Sequence, residues 1–445
     1  MLSHRAPDAA EPGYVDCVDG FRGAAALAVV AFHLFANAGV PGLLGIGPAR
    51  ALAEGGFVGF EWFFVISGFV LFLPIARRGA VGSVKGYFTR RVARIVPLYY
   101  VTLLALLVLW PLFEHPAGAY DVFPLRTGDG LTAFGLHVGF LHDVFLGQSP
   151  NGLNALWHNP WTDGFAVNGV VWTLTLEAIF YALLPLVAKP FLRRPLLWLA
   201  AAVGGALAFR FGLNHIEDIT DFFGVHLAPD TAIHLKIGLG PSFPWYMSHF
   251  ALGMSAAWLV VKLEREPGRW RWLRASWIPL ATATGLVLYT WWYVGHAFLF
   301  TVSHPGHPYD SRYFAYGAEI AVAASFALFL FTTIVGPAWG RRVWTVRPSR
   351  WLGDMSYGIY LWHLMVLEFV IGTLGIAALL PTLGTNTRLL EFSAVVVPVT
   401  FALAAASRRW IELPGIRWGR RQSRRYSVPQ PPREVRREAA EAAAL

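Results

Sequence analysis

Cysteine is almost missing from this chain: Cys17 is the single one in 445 residues. That excludes an internal disulfide framework, and no Cys/His cluster has metal-ligand spacing, so no metal site is expected. Charge is scarce as well, with Asp, Glu, Lys and Arg together making 14% of the residues. A cleavable signal is also lacking, because residues 1 to 19 hold one Arg against four acids and no small-residue cleavage motif follows. The first apolar span is therefore expected to stay as a signal-anchor. What is abundant is apolar surface: 56% hydrophobic residues and 19 Trp, with a mean hydropathy of +0.48. A soluble core of this length has no use for so much, so the composition predicts an all-α, polytopic integral membrane protein of the cytoplasmic (inner) membrane.

Apolar runs long enough to cross a bilayer fall at 20–40, 57–76, 94–113, 170–190, 195–213, 243–262, 277–300, 314–336, 354–376 and 389–407. They make about ten spans. A further run from Leu131 to Phe145 is under span length and contains His137, His142 and Asp143, so 114–169 reads as an extracytoplasmic loop whose apolar part is interfacial or re-entrant. Ten spans with both termini cytoplasmic put the basic segments Arg77–Arg94, Lys189–Arg194, Lys262–Arg274 and Arg341–Arg350 on one side. The expected organisation is a cytoplasmic N-terminal segment, 1–19, a transmembrane domain, 20–407, and a basic, partly disordered cytoplasmic tail, 408–445. The tail holds ten Arg and four Glu and reads as a positive-inside anchor on anionic lipid. The overall pI near 9.8 follows from these segments and implies no nucleic-acid partner. The halves show no convincing inverted repeat.

Depth then sorts the polar residues. Arg22 and His33 stand eleven residues apart on an apolar segment, which on a helix is about three turns, one face and ~16 Å of rise. Arg22 falls at the inner interface and His33 in the outer half. Glu61 on the second span and Glu177 on the fourth arrive at a similar depth by the same count, as do His249, Glu319 and Glu368. Each would be costly facing lipid, so a shared, partly hydrated cavity is the economical arrangement. An imidazole there can take a proton from an alcohol while a carboxylate holds its tautomer, which is the core of acyl transfer to a hydroxyl. The Arg end suits an anionic donor with a long arm. The residues equally admit a proton-coupled transporter or flippase in which His and Glu act as relay and gate.

Six segments in order resemble one family. "VDGFRGAAALAVVAFHLF" is similar to the opening motif of acyltransferase family 3, a cation, ten residues and a histidine, here Arg22 and His33. "FVGFEWFFVISGFVLF" resembles its second-span motif, with Glu61 in the acidic position, and "RRVARIVPLYY" its Arg-x3-Arg and Ile-x-Pro, through Arg90, Arg94 and Pro97. "VVWTLTLEAIFYALLPLV" carries Trp172, Thr173, Glu177, Phe180 and Tyr181 of its Trp-Ser/Thr-Leu-x-x-Glu-x-x-Phe-Tyr segment. "MSYGIYLWHLMV", with Tyr357, Tyr360 and His363, and "RRWIELP" resemble its last two.

The resemblance covers residues 15 to 416. It implies a ten-helix O-acyltransferase that moves an acyl group, commonly acetyl from acetyl-CoA, onto a hydroxyl of a sugar, lipid-linked glycan or macrolide, with acyl-CoA as co-substrate and no permanently bound cofactor. It implies His33 as essential, and the depth reading adds Glu177 and Glu61 as the expected catalytic carboxylates beside this base. Arg22, Arg90 and Arg94 are then implied on the donor side. Trp172, Thr173, Tyr181 and His363 are expected to line the substrate. Ser67, beside Gly68, reads as a close-packing site and is assigned no acyl-serine role. Two departures bear on this. Glu61 stands where Asp is more usual, and the extracytoplasmic hydrolase-like domain that some members append is not expected, so any second half-reaction belongs to the membrane domain or to another protein.

Overall fold

The computed structural model describes residues 15–38, 55–109, 134–140, 170–227, 231–232, 239–240, 242–266, 268, 270–303, 317–373 and 385–426. Among them it is all-helical. Ten helices have 18 residues or more: α1 Cys17–Ala38, α2 Gly59–Arg78, α3 Val84–Leu109, α4 Trp172–Arg193, α5 Pro195–Asn214, α6 Phe243–Arg265, α7 Ile278–Ser303, α8 Ala318–Val335, α9 Arg347–Thr373 and α10 Thr385–Ser407. A 3₁₀ turn, Gly55–Val58, leads into α2, and a π-helical turn, Arg408–Glu412, joins α10 to a terminal helix, α11, Leu413–Arg424.

Among the described residues, seven stretches are long and apolar enough to cross a membrane: Cys17–Phe35, Gly55–Arg78, Val84–Leu109, Trp172–Arg193, Pro195–Asn214, Ala318–Val335 and Leu389–Arg424. The expectation of about ten spans is met to that extent. The remaining long helices, α6, α7 and α9, are diluted by Trp, Tyr and His, and α9 also by Arg347, Arg350 and Asp354. These residue types score low on hydropathy even inside a helix that packs within the bundle.

Small residues set the closest helix crossings. A Cβ on Gly68 of α2 would run into the carbonyl of Phe250 on α6, and one on Gly253 of α6 into the carbonyl of Val65. Backbone thus meets backbone in both directions, the close approach that membrane helices use in place of a hydrophobic driving force. Helices α2 and α6 run parallel there, with Phe60 against Tyr246 near one end and Arg77 paired with Glu264 at 2.7 Å near the other. Helices α1 and α9 are a second parallel pair, in contact where Gly23 meets Gly353. The end of the bundle where α2 closes in Arg77 and Arg78, α4 in Arg193 and α6 in Lys262 and Arg265 is called the basic end below.

From the expected re-entrant run only 134–140 is described. Residues 134–138 form a helical turn held to α3 by the Tyr99 hydroxyl donating to the His137 carbonyl at 2.8 Å and Tyr100 to Val138 at 2.8 Å. The chain after Arg408 stays with the bundle. Helix α11 lies along the first turns of α3, with Gly415 and Gly419 against Ala93; residues beyond 426 lie outside the described part.

Candidate active site

The N-terminal turns of α3 supply the first functional surface. Tyr87, Arg91 and Arg94 recur at steps of four and three, so they share one stripe, and each is half-buried, whereas Arg90 is exposed. The Arg91 guanidinium lies 6.0 Å from the Tyr181 ring centroid on α4. Arg22, rising from the start of α1, is within electrostatic reach of Arg94, Asp19, Glu177 and Arg408. Arg408 is committed to Asp354 at 3.0 Å and Glu412 at 3.5 Å. Among the described residues, Arg22, Arg91 and Arg94 form no ion pair. Arg94 lies within electrostatic reach of both Arg22 and Arg91 at the basic end, and the Arg91 Nε and Tyr87 hydroxyl are enclosed with no hydrogen-bond partner. Such a set of cations suits a phosphate-bearing ligand.

Deeper in the bundle the lining becomes hydroxyl-rich. Glu177 accepts from Ser67 on α2 through one oxygen and from Tyr181 at 2.8 Å through the other. Tyr357 donates to the Ile95 carbonyl at 2.8 Å, and Tyr360 meets the Thr173 hydroxyl at 3.0 Å. Trp172 packs edge-on against Phe60 at 5.0 Å. Ser67, Glu177, Tyr181, Tyr357 and Trp172 all keep part of their surface accessible, so this lining is not sealed.

His33 lies above it, 4% exposed, in contact with α9. Its Nδ1 is 2.9 Å from the Val29 carbonyl and 3.1 Å from Nε2 of His363. His363 is itself 1% exposed, and its Nδ1 is 2.8 Å from the Tyr360 carbonyl and 3.1 Å from that of Ile359. On α9, Tyr357, Tyr360 and His363 follow at steps of three, a column that runs from the level of Glu177 to His33.

Glu61 belongs to a different cluster, on the α6 side of α2. Its Oε2 is 3.4 Å from Nε2 of His249, and both side chains are fully buried. Arg210 of α5 pairs with Glu319 of α8 at 2.9 Å, lies 4.4 Å from the centre of the Trp245 ring and donates to the Trp245 carbonyl at 3.1 Å. Glu61 feels the charges of Glu319 and Arg210, so these residues act as one enclosed electrostatic unit joining α2, α5, α6 and α8.

The structure thus brings Arg22 and Arg94 near Glu177 and Tyr181, with Thr173 on Tyr360 and His33 on His363 further along the same helices. Arg90 turns outward and Glu61 toward α6. Sequence reasoning missed Arg91 and Tyr87, whose signal was their heptad-like spacing with Arg94, and Ser67 as a partner of Glu177, which had no signal.

The family model for the acyltransferase domain matches residues 15–407. Peptidoglycan O-acetyltransferase OatA of Listeria monocytogenes is 25% identical over 90% of this chain and 56% of its own length. Putative peptidoglycan O-acetyltransferase YrhL of Bacillus subtilis is 24% identical over 90% and 55%, so the chain spans about half the length of these two relatives. Putative acetyltransferase ORF330 of Acidianus two-tailed virus is 26% identical over 80% and 84%. No solved structure matches the chain. Since the matched region takes in all ten long helices, the three unpaired arginines and both facing histidines, the chain belongs to acyltransferase family 3.

Proposed function

We propose that this protein is an integral membrane O-acyltransferase that moves an acyl group, acetyl in the first instance, from acyl-CoA to a hydroxyl of a cell-envelope carbohydrate. The observation that carries the reading is the unpaired cation group Arg22, Arg91 and Arg94, with Arg22 about three helical turns below His33 on one face of α1. Phosphates of the donor would rest among these guanidiniums while the flexible arm runs past Tyr181, Glu177 and Tyr357 toward the histidine. The acceptor hydroxyl gives its proton to His33 as its oxygen attacks the thioester carbonyl. The C–S bond then breaks, and the proton passes to the departing CoA thiolate. Thr173, Trp172 and Tyr360 flank the reacting end. Relatives named as peptidoglycan O-acetyltransferases support a glycan acceptor.

The same reading takes the ten long helices as ten crossings of the cytoplasmic membrane, with the basic end and both termini in the cytoplasm, so that CoA enters from that side. In membrane vesicles enriched in the protein, His33→Ala is expected to lower release of free thiol from acetyl-CoA by about 100- to 10,000-fold while the protein still inserts. Undiminished thiol release in that variant would remove the assignment. Gradient-dependent accumulation of a solute without thiol release would instead identify a transporter.

A further inference from the structure

Helices α1 and α9 run parallel and touch where Gly23 meets the backbone of Gly353. Ten residues further along each helix stand His33 and His363. Equal rise per residue carries the two imidazoles to one level, so their meeting follows from the helix pairing itself. The two rings are centred 5.0 Å apart.

Backbone carbonyls only accept hydrogen bonds, so the Nδ1 of His363, held at 2.8 and 3.1 Å by two of them, carries a proton. Its Nε2 is then a lone pair aimed at Nδ1 of His33, 3.1 Å away. That contact and the Val29 carbonyl at 2.9 Å both require the proton of His33 to sit on Nδ1. The lone pair of neutral His33 is left on Nε2. We propose that His363 is a positioning residue that fixes His33 as the Nδ1–H tautomer, so that Nε2 is the nitrogen that takes the acceptor's proton. This rests on His33 being the base. When His33 becomes an imidazolium, Nε2 of His363 goes on accepting from Nδ1–H and steadies the new charge. It fills with a neutral ring the place that a carboxylate holds in a Ser-His-Asp triad. Glu177, the carboxylate expected for that task, is occupied by Ser67 and Tyr181.

Two measurements test this. The first is ¹⁵N-histidine NMR of the wild-type protein in bilayers, with the His33 signals assigned by their loss in His33→Ala. The expected result is a protonated Nδ1 and a bare Nε2 on His33; the opposite tautomer would overturn the proposal even if His33→Ala is inactive. The second is kinetic. His363→Leu is expected to lower kcat by about 100-fold, the scale of a misoriented general base, with KM for acetyl-CoA within about twofold. His363→Gln, whose side-chain oxygen can accept from Nδ1–H, should recover at least about tenfold of that loss. Added to His33→Ala, His363→Leu should cost nothing more, because residues acting as a unit are not additive. Equal loss in the Leu and Gln variants, or an additive double variant, would overturn it. An active His33→Ala would instead remove the base assignment.

Discussion

Arg90 and Arg91 are neighbours in sequence and opposites in surroundings. Arg90 is exposed at the basic end, whereas Arg91 lies over Tyr181 and within reach of Glu177 and Arg94. A charge-assisted contact to a phosphate is worth about 1.5–3 kcal/mol, or about 10- to 100-fold in affinity. Arg91→Ala is therefore expected to raise the KM for acetyl-CoA by about tenfold or more at low salt, with a penalty that shrinks as salt rises and screens the wild-type contact, and Arg90→Ala by less than about threefold. Titrating acetyl-CoA at two ionic strengths measures both, and equal effects would place the donor's phosphates elsewhere. The sequence shows Arg90 and Arg94 one turn apart, and Arg91 and Arg94 are one turn apart as well. Which pair faces inward depends on the rotation of α3 about its axis, fixed by the packing of Leu98 and Tyr99 against Leu361 and Trp362, and spacing within one helix cannot supply it. The same holds for Ser67 with Glu177 and for His33 with His363: depth is legible residue by residue, but the partner is a property of two helices.

Elements were legible where hydropathy and backbone agree. The second run expected at 57–76 is found as Gly59–Arg78, and the fifth, expected at 195–213, as Pro195–Asn214. They part at the basic end. Helix α3 starts at Val84, well before the expected 94, and α10 continues through the π-helical turn to Arg424. Arginines interrupt an apolar run without interrupting the hydrogen-bond ladder, because a helix leaving the membrane keeps its own backbone satisfied while its side chains turn to water. Between elements, the Arg210–Glu319 pair ties α5 to α8 beside Trp245 of α6, with side chains 0% and 7% exposed. Removing one member leaves a buried charge uncompensated, at about 3–5 kcal/mol. Arg210→Met should lower the unfolding midpoint of the detergent-solubilised protein by several degrees, and adding Glu319→Gln should restore part of it. A double variant no more stable than the single would mean that Arg210 serves chiefly through its packing on Trp245.

Across the whole molecule, the exposed tryptophans gather at one end of the bundle. Trp198, Trp272, Trp277, Trp339, Trp351, Trp410 and Trp418 are the described tryptophans with large exposure, and they stand in the first turns of helices or short connections at the basic end, or, for Trp418, on α11. An aromatic belt mixed with arginine is what a cytoplasmic membrane interface collects. Cys17 is buried, which simplifies labelling after Cys17→Ser. A cysteine at Asp218, whose side chain is 82% exposed beyond α5, should react with an impermeant maleimide on intact cells. One at Arg421 on α11 should react only after the membrane is opened. Labelling of both from outside would contradict a cytoplasmic basic end.

The parallel pairing of α1 with α9 also has a meaning in time. The two histidines are separated by 330 residues of chain, and at about 5–20 residues per second a ribosome needs roughly 16–66 s to travel between them. During that interval α1 sits in the bilayer with its histidine already made and its partner helix not yet synthesised. The proposed mechanism then gives a nascent chain that has its arginines on α1 and α3 but lacks the ring that fixes the tautomer of His33. On the mechanism proposed above, synthesis of the ninth helix is what completes the site, and a chain released before it is expected to bind donor without turnover.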